Sequence, residues 1–171
     1  MELIIRNKWF SLRGSSYVRD VNEQDIIRVK GKFWTVTYKK FIQTLEGETK
    51  YIVRNKFWKL FVYRAFIIDP KTNEIITTIR RKFWSLHDHY TIDSPYGEII
   101  IRGNILCFDY HISLNGVEIG HVARKISLRD SFVLTLPDDI DDIYYYVALV
   151  IAIANITRER ANDSSSYYDY N

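Results

Sequence analysis

The stretch YYYVALVIAIANI at residues 144–156 does most to restrict what this 171-residue chain can fold into. Ala148, Ala152 and Ala154 favour helix, four aspartates (Asp138, Asp139, Asp141 and Asp142) precede the run, and Arg158 and Arg160 follow it. Acid at the start and base at the end complement a helix dipole. From Ile143 to Ile153 no face of such a helix is polar, so it must be buried on all sides. As a helix the run spans roughly 20 Å, whereas a hydrocarbon core of about 30 Å needs some 20 apolar residues. The rest of the chain must therefore provide a protein interior to hold it.

That container is announced by a repeat. RNKWFSL at 6–12, KGKFWTV at 30–36, RNKFWKL at 54–60 and RRKFWSL at 80–86 are versions of one motif, and weaker copies begin at RGNILCF (102) and ARKISL (123). A unit of about 24 residues is too short for a βαβ crossover and fits two short strands with their turns. With 13 Tyr, 9 Phe and 4 Trp beside many Ile and Val, the composition favours strands. Asn115-Gly116 is a strong hairpin signal, Glu46-Gly47 a weaker one, and Asp69-Pro70 and Pro95-Tyr96-Gly97 mark longer connections. Leu106, Phe108, Tyr110, Ile112 and Leu114 alternate with Cys107, Asp109, His111 and Ser113, which predicts two faces of one strand. Six units predict about twelve strands. An antiparallel sheet closed on itself loses its edges and can enclose a helix, so the predicted fold is a mainly β, closed barrel around a central C-terminal helix.

Within each strong copy the fifth and seventh positions (Phe10 and Leu12, Trp34 and Val36, Trp58 and Leu60, Trp84 and Leu86) are apolar and read as anchors for the helix. The fourth position, Trp9, Phe33, Phe57 or Phe83, falls on the other face unless a bulge turns it in. In an up-and-down order the odd strands all finish at one end. Arg6, Lys30, Arg54, Arg80 and Arg102, together with Lys8, Lys32, Lys56, Arg81, Lys82, Arg124 and Lys125, would then form a basic rim there. The candidate anionic-lipid-binding residues are Lys8, Lys32, Arg54, Lys56, Arg80, Arg81, Lys82, Arg124 and Lys125. A basic rim can attract lipid head groups, or it can simply compensate the negative C-terminus of the helix and stay solvated. Nucleic acid is disfavoured, because most of the interleaved aromatics are better used in the core.

The net charge of +3 is unevenly spread, with nearly all the acidic excess after residue 130. Cys107 is the lone cysteine, which points to a reducing compartment, and MELIIRNKWF does not read as a secretory signal. The expected location is cytoplasmic or peripheral at membranes. The polar segment NDSSSYYDYN at 162–171 reads as a disordered tail after a single domain at 1–161, with the buried helix at about 140–160.

No catalytic or metal site and no cofactor is predicted. Cys107, Asp109 and His111 share a strand face, but i and i+2 neighbours lie about 6.6 Å apart, too far for direct nucleophile-to-base hydrogen bonds. His87-Asp88-His89 places two histidines on one face without the third ligand that zinc requires, and His121 stands alone as a structural histidine. Gly-rich phosphate loops, nucleophile elbows and HExxH motifs are absent from the sequence.

The basic-Lys-aromatic motifs, the segment GNILCFDYHISLNGVEIGHVARKISL at 103–128 and the acidic lead into an apolar final helix resemble the LURP-one-related family, over about residues 2–160. That family belongs to the tubby C-terminal-like and phospholipid-scramblase superfamily. The resemblance implies a twelve-stranded antiparallel barrel around a hydrophobic helix and a non-enzymatic binding or scaffolding module, with an anionic membrane surface or a phosphoinositide as partner. Two alternatives stand beside it: a protein-interaction or structural module without a lipid ligand, and a membrane-associated scramblase-like protein. The family's usual Lys-Lys-Trp-like final motif is reduced here to Arg124-Lys125-Ile126, and no tubby lipid-site motif has a counterpart to carry residues over.

Overall fold

In the computed structural model, residues 1–6, 15–32, 39–56, 62–82, 89–125 and 131–166 are described; for Ser15, Lys32, Lys56, Val62, Tyr63, Arg81, Lys82 and residues 158–166 this is the backbone alone. Twelve strands precede one helix: β1 (Glu2–Arg6), β2 (Ser15–Arg19), β3 (Asp25–Lys32), β4 (Lys39–Gln43), β5 (Thr49–Lys56), β6 (Val62–Ile68), β7 (Ile75–Lys82), β8 (His89–Ser94), β9 (Gly97–Asn104), β10 (Asp109–Leu114), β11 (Val117–Lys125), β12 (Ser131–Thr135) and α1 (Ile143–Ser166). Every paired neighbour is antiparallel, and the strands follow the order β7-β6-β5-β4-β3-β2-β1-β12-β11-β10-β9-β8. The first and last strands join through Leu3 opposite Leu134 and Ile5 opposite Phe132. This is the antiparallel barrel predicted from the repeat, nearly closed. Among the described residues its one unladdered seam lies between β7 and β8.

Local chemistry accounts for the turns. Asn115 (φ 50°) and Gly116 (φ 84°) both take the left-handed conformation of a tight hairpin, whose twist matches that of β10 and β11. The chain departs from the predicted alternation just before β10. Asn104 Oδ1 accepts from the Cys107 amide at 3.1 Å and turns residues 105–107 into a 3-10 helix, so Ile105 is buried and Leu106 exposed. Phe108 follows at φ 55° and period-2 burial starts only at Asp109. An asparagine side chain competes with the ladder for backbone groups, and here it wins over the apolar pattern.

Inside the barrel, alternate strand residues join the helix in one apolar core. Val53, Ala65, Ile67 and Ile79 supply part of one wall, and Ile92, Ile99, Ile101, Tyr110, Ile112 and Val122 part of the other. From Tyr145 to Thr157 every residue of α1 is buried, including Leu149, Val150, Ile151, Ile153 and Ile156. Burying each such aliphatic side chain is worth about 1.5–3 kcal/mol, which explains why an all-apolar helix forms only within this container. Among the described residues no helix is long and apolar enough to cross a membrane.

The two ends of the helix are fixed differently. At its start Asp142 Oδ1 accepts from the Tyr145 amide at 3.0 Å as an N-cap, while Asp142 Oδ2 accepts from Tyr51 at 2.5 Å and Tyr96 at 2.8 Å. The Tyr145 hydroxyl lies 2.7 Å from Thr77 Oγ1 on β7. Since Tyr96 belongs to the β8–β9 turn and Tyr51 to β5, the helix start ties together strands on both sides of the seam. Further along, Lys40 donates to Asn155 Oδ1 at 3.1 Å and Asn155 donates to Asn55 Oδ1 at 3.4 Å, a polar contact inside the barrel. The helix thus runs from the acidic end of the barrel toward the end where the odd strands finish. The motif's apolar positions (Phe10, Leu12, Trp34, Val36, Trp58, Leu60, Trp84 and Leu86) and its aromatics Trp9, Phe33, Phe57 and Phe83 lie outside the described residues, as do His87 and Asp88.

Candidate functional site: a cationic wall

Because all paired strands are antiparallel neighbours, β1, β3, β5, β7, β9 and β11 finish at one end, at Arg6, Lys32, Lys56, Lys82, Asn104 and Lys125. The even strands begin there, so their first residues belong to the same end. Lys39 and Arg64 enter the site in this way. Both lie outside the repeated odd-strand motif, so its spacing does not point to them.

The charge is not a uniform ring. Five consecutive strands carry Arg28, Lys30 and Lys32 (β3), Lys39 and Lys40 (β4), Lys50, Arg54 and Lys56 (β5), Arg64 (β6), and Arg80, Arg81 and Lys82 (β7), of which Lys40 turns into the barrel toward Asn155 and Lys50 pairs with Glu48 at the far end. Their one acid is Asp25, which pairs with Arg19 at 2.7 Å at the far end. The remaining strands balance Arg6, Arg19, Arg102, Arg124 and Lys125 with Glu2, Asp93, Glu98, Asp109 and Glu118. Of the predicted site residues, Lys32, Arg54, Lys56, Arg80, Arg81 and Lys82 gather on the β3–β7 wall, whereas exposed Arg124 and half-buried Lys125 sit across the barrel on β11. Lys8 lies outside the described residues.

Register sharpens the picture. Val53, Ala65 and Ile79 face the helix, so their sequence neighbours occupy the outer face. There Lys39 stands opposite Arg54, and Arg64 opposite Arg80. Like charges directly opposite each other weaken a sheet by a few tenths to about 1 kcal/mol per pair. Arg54 finds partial relief over the Phe66 ring, 5.5 Å from its centroid. Arg64 finds none: its Nε is buried without a hydrogen-bond partner. Leaving such a donor unsatisfied costs about 1–3 kcal/mol, more when charged. No ion pair among the described residues reaches Lys30, Lys39, Arg54, Arg64 or Arg80. Cations kept close together without carboxylates create a positive potential suited to an anionic partner.

The residues weighed for catalysis are otherwise engaged. Cys107 is exposed on its 3-10 turn. Asp109 Oδ1 contacts His121 Nε2 at 3.0 Å, and His111 Nδ1 contacts Glu118 Oε1 at 2.9 Å. The two imidazoles stack with centroids 4.4 Å apart, so His121 is not solitary, as the sequence had suggested: strand pairing sets it directly opposite His111. Among the described residues no three His, Cys, Asp or Glu are placed to hold a metal ion.

The fold is a nearly closed barrel of twelve antiparallel strands around a single hydrophobic C-terminal helix. The chain belongs to the LURP-one-related family, whose model matches residues 1–154. Its fold is shared with a crystal structure of a protein from Arabidopsis thaliana, at a TM-score of 0.53 and 14% identity, with 88% of this chain and 89% of that chain covered. No curated protein matches.

Proposed function

We propose that this protein is a non-enzymatic binding module that docks on anionic phospholipid head groups through the β3–β7 wall. The observation that carries this reading is a face where Lys30, Lys39, Arg54, Arg64 and Arg80 have no ion-pair partner among the described residues and where strand register holds like charges together. A basic residue held near an anionic leaflet contributes about 1 kcal/mol, so five to eight of them give useful affinity without any inserted segment. The helix's apolar surface is spent inside the barrel, which favours peripheral attachment. The family membership and the shared fold support a module of this kind.

Sedimentation with vesicles tests the reading. Binding to phosphatidylserine-containing vesicles is expected at low salt and should weaken as the Debye length shrinks from about 10 Å at 0.1 M to about 3 Å at 1 M. Reversing Lys30 and Lys39 to glutamate should remove most of it. Absence of binding at low salt, or binding indifferent to those reversals, would leave a protein-interaction module with a salt-insensitive partner as the better reading.

A further inference from the structure

We infer that the end of the barrel where the even strands finish is a docking surface for a basic amphipathic helix of a partner protein. This surface is separate from the cationic wall and does not depend on the membrane-docking reading.

Antiparallel order gathers the turns β2–β3, β4–β5, β6–β7, β8–β9 and β10–β11 at that end, together with Met1 and the segment leading from β12 into α1. Each turn, or the residue that leaves it, holds one large apolar side chain in solvent: Val21 (60% exposed), Leu45 (46%), Ile75 (47%), Tyr96 (36%) and Val117 (66%). Among the described residues Leu106 is the one exposed large apolar side chain found at the opposite end. A single apolar residue on a surface needs no explanation, whereas one at every turn of the same end forms a crown that marks an interaction site. Ile140, Ile143 and Tyr144, half-buried where the chain enters the barrel, add apolar surface there.

Charge at this end is one-sided. Glu23, Glu46, Glu74, Asp139 and Asp141 are exposed, and no ion pair among the described residues reaches them. Lys71 is the one base in the turns; beside them Arg19 is paired with Asp25, Lys50 with Glu48 and the N-terminal amine with Asp138. Apolar side chains ringed by carboxylates complement a partner that offers apolar residues flanked by Lys and Arg. The same carboxylates repel an anionic membrane, so lipid and partner take different faces of the barrel.

Backbone chemistry decides between an extended and a helical partner. The turns close on themselves: the amides of Asp20, Thr44 and Asp69 donate to the carbonyls of Gln24, Glu48 and Glu74 at 3.0, 2.9 and 3.0 Å. This end therefore offers no row of open backbone groups for an added strand. A helix arrives with its own backbone bonds made and presents apolar residues at i, i+3, i+4 and i+7 between basic ones.

The full chain would be titrated at physiological salt with a peptide of about 18 leucines and lysines, roughly five helical turns, whose leucines fall on one face, and with a peptide of the same composition whose leucines are scattered. The patterned peptide should bind at least about tenfold more tightly, moving the amide resonances of Leu45, Glu74 and Val117 and leaving those of Lys39 and Arg80 in place. Leu45→Ser with Val117→Ser, and separately Glu74→Lys with Asp139→Lys, should each weaken it by about tenfold. Lys30→Glu with Lys39→Glu should leave it within about twofold, because those charges lie more than a Debye length of about 8 Å away. Equal affinity for the two peptides would reduce the surface to charge attraction and overturn it. Unchanged affinity in both crown variants, with melting temperatures like that of the parent, would overturn it as well. A second copy of the chain is the competing occupant: a concentration-dependent oligomer in sedimentation velocity, lost both in Glu74→Lys with Asp139→Lys and in Lys30→Glu with Lys39→Glu, would assign the crown to the cationic wall of another molecule and overturn the helical partner. Preference for the patterned peptide in a chain that ignores vesicles would uphold the crown and remove the membrane reading alone.

Discussion

Tyr51 on β5 donates its hydroxyl to Asp142 Oδ2 at 2.5 Å, joining the barrel wall to the cap of a helix that begins 91 residues later. The same carboxylate caps the Tyr145 amide and receives Tyr96 from across the seam. One aspartate therefore starts the helix and helps to hold β8 near β7 without a ladder. Asp142→Ala should cost about 2–3 kcal/mol, from the lost cap and the loss of charged hydrogen bonds, and Tyr51→Phe about 1–2 kcal/mol. Urea denaturation reads both losses. Faster amide exchange in β7 and β8 of the aspartate variant would accompany them, and a parent-like midpoint for Asp142→Ala would show that the cap does not hold the seam.

Asn155 carries the polar contact inside the barrel, accepting from Lys40 and donating to Asn55, which is 2% exposed. Asn155→Ala should destabilise by about 1–3 kcal/mol, because it takes a hydrogen bond from buried Asn55 and another from half-buried Lys40. Adding Lys40→Met should recover part of that loss, so a double-mutant cycle should show positive coupling. Strict additivity would mean that the lysine is held by other contacts.

Two glycines with positive φ should respond differently to alanine. At Gly103 (φ 136°) a Cβ would lie 2.6 Å from the Asp109 carbonyl oxygen and 2.7 Å from Tyr110 Cα, whereas at Gly116 (φ 84°) nothing lies within 4 Å. Gly116→Ala should cost about 1 kcal/mol from backbone strain alone. Gly103→Ala should cost at least about 2–3 kcal/mol, since backbone must shift as well. Thermal melts of the pair decide it, and equal losses would mean that the β9–β10 pair yields easily.

Alkali should unfold the protein through its tyrosines. Burial pushes the Tyr146 phenol up to about 12, and burial again, aided by the hydrogen bond to Asp142, pushes Tyr51 well above the ordinary range. Tyr110, fully buried, is raised for the same reason. A phenol with a folded pKa above its unfolded value of about 10 stabilises the fold fully below pH 10, and that contribution is lost as pH rises through the folded value. Stability should therefore be flat up to about pH 10 and fall beyond it, with part of the phenolate absorbance appearing only together with unfolding. Titration of all tyrosines near pH 10 in folded protein would contradict this.

Arg80→Glu sets stability against binding. Opposite Arg64 it replaces a like-charge pair with an ion pair, which should stabilise the sheet by about 0.2–1 kcal/mol. The same change should weaken binding to anionic vesicles. A higher melting temperature together with lower affinity would identify the Arg64–Arg80 pair as kept for a ligand; lower stability would show that the two arginines do not oppose each other in solution.

The sequence by itself determined the architecture. A recurring unit of about 24 residues cannot make anything larger than a strand pair, and a helix without a polar face cannot remain in water, so barrel and buried helix required one another. The hairpin at Asn115-Gly116 was legible for an equally local reason, the left-handed backbone those residues accept. Tertiary structure decided the rest. Lys39 and Arg64 join the cationic face only because even strands begin where odd strands end, and the charge forms a wall because β3 to β7 are contiguous while Arg124 and Lys125 fall on the opposite side. The 3-10 turn at 105–107, the pairing of His111 with His121, the seam and its closure through Asp142 likewise depend on register between strands far apart in the chain. Periodicity records which face a residue takes; the neighbour across the ladder is set by the folded sheet, and at this site that neighbour makes the chemistry.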